Sequence, residues 1–303
     1  MTDQNNNRNF YIILIIISIP FFLFHYYNIF SETIPELLKN GENASMDFAI
    51  YYNSVKDFLS NPKDLYYHLP NDTQGWYLYP PLSILFFLPF TIFPAETGGL
   101  LFIFVSIVIY ILTYFVFSRI YEKDRGIKLT PLNKYSVLFF TLSIGPLFQN
   151  IRMGQVNTIV LFLSIIGLLF FLEKKVINST IYILLGFWLK LYTLILIGLT
   201  ITKYPKKVII GSIISLILIP LAFIFLIPFD LYGYYFLEHL PAVSGHNIQI
   251  SPINQSLTNF IMHLQLPGES FASWQEIPVP VWINIVNLII GGSIFLLLVY
   301  LFH

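Results

Sequence analysis

The 303-residue chain has no cysteine and little charge: 16 basic and 16 acidic residues make up 11% of it, and the formal net charge is zero. Without cysteine there is no disulfide framework, no thiolate nucleophile and no Cys-ligated metal, and the redox compartment stays open. Without a basic excess there is no stripe for nucleic acid to lie on, so nucleic acid is not an expected partner. There is no Walker loop, no Gly-x-Ser-x-Gly elbow and no Gly-x-Gly-x-x-Gly fingerprint, which disfavours nucleotide-driven transport and serine hydrolase chemistry. His239, His246 and His263 lack a His-x-x-x-His spacing, so no metal site and no cofactor is expected.

What is abundant is apolar. Hydrophobic residues make up 56% of the chain, aromatics 18%, with 30 Phe and 20 Tyr. Soluble domains carry roughly 25% charged residues, more than twice the share here. This is the composition of an all-α, polytopic protein of the cell membrane, solvated by lipid, with Tyr available at the headgroup level. The run Phe10–Phe30 is long enough to span and lacks the short core and small-residue cleavage site of a signal peptide, so it reads as a retained first helix.

Residues 31–79 then form a first long polar loop, with seven acids against three lysines. Within it, Phe48, Tyr51, Tyr52, Val55 and Leu59 recur at helical spacing while Asn53, Lys56 and Asp57 take the other side. The pattern predicts a helix lying in the membrane interface. Asp47 would sit at its N-terminus, where the helix dipole favours a carboxylate, as a catalytic base or simply as an N-cap. The rigid turn Trp76–Pro81 follows, then a short apolar piece, 82–93, interrupted by Pro89.

Longer apolar runs occupy 98–117, 135–148, 156–172, 177–202, 208–229 and 279–302. A second long loop, 230–278, carries four acids and no Lys or Arg. The basic turns at 119–134, 174–175 and 203–207 should face the cytoplasm, and both long loops the outside. On that assignment 135–172 is a hairpin with Arg152–Gln155 at its outer tip. Segment 177–202 is a second hairpin with Lys190 at its apex, each leg spanning roughly 20 Å. Segment 82–93 becomes a partial or re-entrant helix, tolerable only inside protein or along a cavity. The whole chain reads as one transmembrane domain with its site on the non-cytoplasmic face.

Under this topology Asp47, Tyr79, Arg152, Gln155, Lys190 and the second loop share one outer cavity. An ammonium in apolar sequence costs about 2.5 to 3.5 kcal/mol on insertion scales, which makes Lys190 a functional candidate. It could also snorkel or pair with a structural carboxylate. Arg152 could clamp a phosphate or anchor a helix end. Gln155 and Asn157 are ligand candidates or helix-packing polar groups. In the second loop Asn254, Gln255 and Ser256 suit hydroxyl recognition or a capped helix start.

The order Asp47-Phe48 with Tyr51, then Tyr79-Pro80-Pro81-Leu82, then Gly154-Gln155-Val156-Asn157, then Lys190-Leu191-Tyr192, then Asn254-Gln255-Ser256-Leu257 carries a family resemblance. Over roughly residues 45–260 the chain resembles the polyprenol-phosphate-mannose-dependent mannosyltransferases of glycosyltransferase family 87, within the C-type glycosyltransferase superfamily. That family often has Pro where this chain has Leu191. Its members are usually longer, which leaves a C-terminally incomplete or reduced member open.

The resemblance implies a C-type helical bundle with short or re-entrant helices. It implies inverting transfer of a hexose, mannose being expected, from a polyprenyl-phosphate donor to a hydroxyl of a lipid or glycan acceptor. Asp47 would be the general base, with Lys190 and Arg152 on the donor phosphate. Tyr51, Tyr52, Tyr79, Gln155, Asn157, His246, Asn254, Gln255 and Ser256 would contact sugar or acceptor. The alternative from a different class is a secondary transporter or lipid flippase with a buried cationic site; a non-enzymatic membrane subunit is a third reading.

Overall fold

Apolar runs of membrane length can satisfy their backbone only internally, and they do so here as helices. The computed structural model describes residues 2–66, 77–243, 247–250, 258, 261–262 and 275–302. Helix α1 (Thr2–Asn28) passes through a π-helical turn, Ile29–Thr33, directly into α2 (Ile34–Asn40). After a short 3-10 turn comes α3 (Asp47–Ser60). Segment Pro81–Ile92 is broken into a 3-10 turn, the single-turn α4 (Ile84–Phe87) and a second 3-10 turn. Helix α5 (Ala95–Arg125) is the longest, about 46 Å at 1.5 Å per residue.

Helices α6 (Pro131–Leu142), α7 (Gly145–Arg152), α8 (Asn157–Leu172), α9 (Val176–Phe187), α10 (Leu194–Ile201) and α11 (Pro205–Ile213) follow. The start of α6 shows why the chain breaks where it does. Thr130 Oγ1 accepts from the Asn133 amide at 3.2 Å, and Pro131 takes a first-turn position where its missing N–H costs nothing. Beyond α11 come helical pieces through Val243 and a short antiparallel pairing of Asn247–Ile250 with Gln275–Pro278. The last helix is Val281–Phe302.

Among the described residues four helical stretches are long and apolar enough to cross a membrane: Arg8–Ser60, Ala95–Arg125, Pro205–Ala222 and Val281–Tyr300. Within the first, the membrane-length apolar part is the stretch before the π turn; α3 lies beyond it and carries a polar face. Four shorter apolar helices, Pro81–Ile92, Asn157–Leu172, Val176–Phe187 and Leu191–Ile201, fall short of that length. Ile16, Phe24, Leu288 and Leu296 are all more than half exposed, which suits helices that meet lipid. The chain is thus an all-α polytopic membrane protein, with one short strand pair added.

Two expectations are revised in detail. Glu32, Thr33 and Glu36 lie on continuous helix, because the chain widens into a π turn, with Ile34 N–H donating to the Ile29 carbonyl oxygen, immediately before Pro35, which has no N–H of its own to place. The apolar face of α3 is packed into protein: Phe48, Tyr51, Tyr52, Val55 and Phe58 are each at most 2% exposed, while Leu59 is 54% exposed. They join a core with Leu82, Phe87, Phe102, Leu184, Trp188 and Tyr235. Helices α8 and α9 pack closely, and Gly167 permits it: a Cβ there would stand 2.6 Å from Ile183 Cγ1 and 3.2 Å from the Ser179 carbonyl oxygen.

Candidate functional site

Met46 occupies the N-cap position of α3 in extended conformation and makes no side-chain cap. Asp47 is therefore the first helical residue, and its carboxylate is not spent on capping the helix. Its backbone N–H donates instead to the Met153 carbonyl oxygen at 2.8 Å. That single bond ties the start of α3 to the turn between α7 and α8.

The turn itself is built for close approach. Gly154 has φ +63°, where a side chain is strained, and a Cβ there would lie 2.8 Å from Phe48 Cβ and 3.4 Å from the Phe48 nitrogen. Gln155 N–H donates to the Asn150 carbonyl oxygen at 2.9 Å, and Asn150 Nδ2 donates back to the Gln155 carbonyl oxygen at 3.3 Å. Asn157 Nδ2 donates to Gln155 Oε1 at 2.7 Å, which orients the Gln155 side chain. Its amide hydrogen-bonds the Asp47 carboxylate. Asn157 thus acts on Asp47 through Gln155.

Lys190 comes from the break between α9 and α10. Its backbone is extended, at φ −150° and ψ 125°, between the end of α9 and a 3-10 turn at Leu191–Thr193. Leu189 is fully buried, and Trp188 Nε1 donates to the Ser215 carbonyl oxygen at 2.9 Å, so the break is pinned from within the bundle. The half-buried ammonium lies 5.8 Å from the centre of the Tyr79 ring and interacts electrostatically with Asp47. Among the described residues no carboxylate lies within 4 Å of it. Among these residues there is no direct ion pair for an incoming anion to displace.

Tyr79 closes the group. Its hydroxyl shares a 2.7 Å hydrogen bond with that of Tyr51, its carbonyl accepts from Tyr66 Oη at 2.8 Å, and its ring is edge-on to Tyr51 at 5.1 Å. Tyr51 is 1% exposed and stacks on Phe87 at 4.3 Å. Tyr52 turns away, donating its hydroxyl to the Phe93 carbonyl oxygen at 2.9 Å. Neighbouring backbone is held by Tyr235 Oη on the Leu78 carbonyl at 3.1 Å and His239 Nε2 on the Tyr77 carbonyl at 3.0 Å. The sequence drew attention to His239 only as a metal-ligand candidate, and passed over Tyr235 one helical turn before it.

Burial raises the Asp47 carboxyl above the usual carboxylate range, and the Gln155 hydrogen bond and Lys190 charge draw it back down. The helix N-terminus also favours the ionised form. A carboxylate so placed is a proton acceptor with a polar partner on one side and a cation on the other.

The structure thus brings Asp47, Gln155, Asn157, Lys190, Tyr79 and Tyr51 together from four separated stretches. Arg152 does not join them. Its guanidinium lies 3.4 Å from the Glu32 carboxylate, facing a separate cavity lined by Glu32, Thr33, Glu36, Ser45, Met46, Arg152 and Met153. Sequence reasoning passed over Glu32, Thr33 and Glu36, which read as ordinary loop polarity. His246, Asn254, Gln255 and Ser256 lie outside the described residues.

Compared with known protein families, residues 77–303 match the model of glycosyltransferase family 87. No curated protein and no solved structure matched the chain. The family match begins at Tyr77 and includes Tyr79, Gln155 and Lys190. Asp47 precedes it, so the place of Asp47 in the site rests on its hydrogen bonds with Met153 and Gln155 and its electrostatic interaction with Lys190.

Proposed function

Because the chain belongs to glycosyltransferase family 87, and is therefore a membrane glycosyltransferase, we propose that it moves a hexose, mannose in the first instance, from a polyprenyl-phosphate donor to an acceptor hydroxyl with inversion. The reaction takes place on the non-cytoplasmic face. The observation that supports it is the convergence of a half-buried carboxylate, Asp47, with a half-buried ammonium, Lys190, that has no carboxylate within 4 Å among the described residues.

In the proposed step the acceptor oxygen attacks the anomeric carbon from the side opposite the phosphate. The new carbon–oxygen bond forms as the bond to the phosphate oxygen breaks, and that electron pair leaves with the polyprenyl phosphate. The acceptor proton passes to Asp47. A general base of this kind contributes about 10² to 10⁴-fold. Lys190 offsets the charge gathering on the leaving phosphate, where a fixed cation in a poorly hydrated site acts more strongly than in water. Gln155 keeps the carboxylate aimed, and Tyr79 offers a ring face beside the ammonium. Short, broken helices such as Pro81–Ile92 leave lateral room for the lipid tail.

The test is transfer by the purified protein in liposomes, offered polyprenyl-phosphate mannose, polyprenyl-phosphate glucose and GDP-mannose, with the anomeric configuration of the product read by NMR. Inverted product from polyprenyl-phosphate mannose, reduced at least 100-fold in Lys190→Ala, is expected. Retained configuration, or GDP-mannose as the working donor, would sink the proposal.

A further inference from the structure

Directly beyond Asp47 is the second cavity, of about 480 Å³, between the π turn that joins α1 to α2 and the end of α7. Its size falls in the range of about 300 to 1,000 Å³ typical of small-molecule sites. Two of its walls are Met46 and Met153, the residue before Asp47 and the one whose carbonyl accepts the Asp47 N–H, so it abuts the backbone that carries the base.

Its polar lining is unusual in one respect. Thr33 is 4% exposed, lines the cavity, and its hydroxyl has no hydrogen-bond partner. A buried hydroxyl left unpaired costs about 1 to 3 kcal/mol, so its retention calls for an explanation. Thr33 ends the π turn, and such single-turn widenings occur frequently at functional sites. Around it stand Glu32, ion-paired to Arg152 at 3.4 Å with both side chains about half exposed, and Glu36, whose Oε1 accepts from the Ser45 N–H at 3.4 Å.

Charge decides what this lining suits. Two carboxylates against one guanidinium leave an excess negative charge, which opposes a phosphate and favours a neutral donor of several hydrogen bonds. Carboxylates accept from adjacent hydroxyls, the guanidinium donates to hydroxyl oxygens, Thr33 and Ser45 can do either, and the two methionines offer polarisable apolar walls. We propose that this cavity is the acceptor subsite and that it holds a neutral hexose unit, with Thr33, Glu36 and the Glu32–Arg152 pair as its contacts. The assignment rests on the glycosyl-transfer reading. It gives Arg152 to the acceptor and leaves Lys190 as the cation facing the donor phosphate.

The experiment measures binding of radiolabelled octyl mannoside, glucoside and galactoside to the full-length protein in nanodiscs, with no donor present. Because no turnover enters, failure of the transfer reaction leaves this result standing. At least one octyl hexoside should bind to wild type. Thr33→Val should weaken it about threefold to tenfold, as expected for one lost hydrogen bond, and Glu36→Gln by about tenfold or more, as expected for a charged partner. Methyl hexosides run in parallel separate a lipid-linked acceptor, for which only the octyl series binds, from a soluble glycan, for which both do.

A photoreactive octyl hexoside on wild type should label residues within 32–46 or 152–153, which keeps the proposal testable if a variant misfolds. No binding by any hexoside, unchanged affinity in both variants, or labelling confined elsewhere overturns it. So does a loss of polyprenyl-phosphate mannose binding, without loss of hexoside binding, in Glu36→Gln.

Discussion

Replacing Gly154 with alanine separates positioning of the base from general stability. The left-handed backbone at φ +63° costs a non-glycine residue about 1 to 2 kcal/mol. The added Cβ would meet Phe48 Cβ at 2.8 Å, and over-packing of this kind costs about 1 to 3 kcal/mol more unless the neighbour moves. The neighbour is the second residue of α3, so relief shifts Asp47. A displacement near 1 Å at the reacting centre costs about 100-fold in rate. Gly126, at the end of α5, is the matched control: it has the same φ of +63°, but nothing lies within 4 Å of its Cβ position.

Gly126→Ala should therefore lower the thermal midpoint slightly and leave transfer unchanged. Gly154→Ala should lower the transfer rate about 100-fold under conditions where both variants remain folded by size exclusion and circular dichroism. The assay is initial-rate transfer in liposomes at saturating donor. Equal rates in the two variants would refute the claim that this turn sets the place of Asp47.

Three further outcomes follow from the same contacts. A base must be ionised, so transfer should rise with pH through the Asp47 carboxyl pKa, which burial lifts above the ordinary value of about 3.9. Removing the Lys190 charge as Lys190→Met withdraws a cation that favours ionisation, so the residual activity should have its acid limb at higher pH; a shift to lower pH would contradict the arrangement. Trp188→Phe deletes the donor to the Ser215 carbonyl, and should cost about 1 kcal/mol of stability and lower kcat more than it raises KM for donor. An unchanged kcat would show that the Lys190 break is held by other contacts. In this cysteine-free chain, a maleimide that cannot cross membranes should label Ser45→Cys from the non-cytoplasmic side and Lys206→Cys only from the cytoplasmic side. The reverse pattern would overturn the orientation.

How much of this was readable from sequence depended on whether a residue's partner was local. Lys190 in an apolar run could hardly lie mid-helix facing lipid, and a helix break there was legible; so were the turn at 153–156 and the interruption of 82–93 by proline. The amphipathic pattern of α3 gave its apolar face but not what covers it, since lipid and protein select the same periodicity. The exchange of Leu59 for Phe58 in the buried set follows from that: the face turned toward Phe87 and Phe102, not toward a planar interface. Arg152 read equally well as a phosphate clamp, because its partner Glu32 lies far upstream on a segment that looked like loop. The Tyr51–Tyr79 hydroxyl pair and the empty hydrogen-bonding capacity of Thr33 are tertiary facts, with no periodicity to announce them.

The central claim is that Asp47 accepts the acceptor's proton, and single-turnover transfer by Asp47→Asn tests it most directly. The substitution keeps size and hydrogen bonding to Gln155 while removing the basic oxygen. Transfer slowed by about 10² to 10⁴-fold, with donor affinity and thermal midpoint near wild type, is the predicted result; transfer at the wild-type rate would contradict the account.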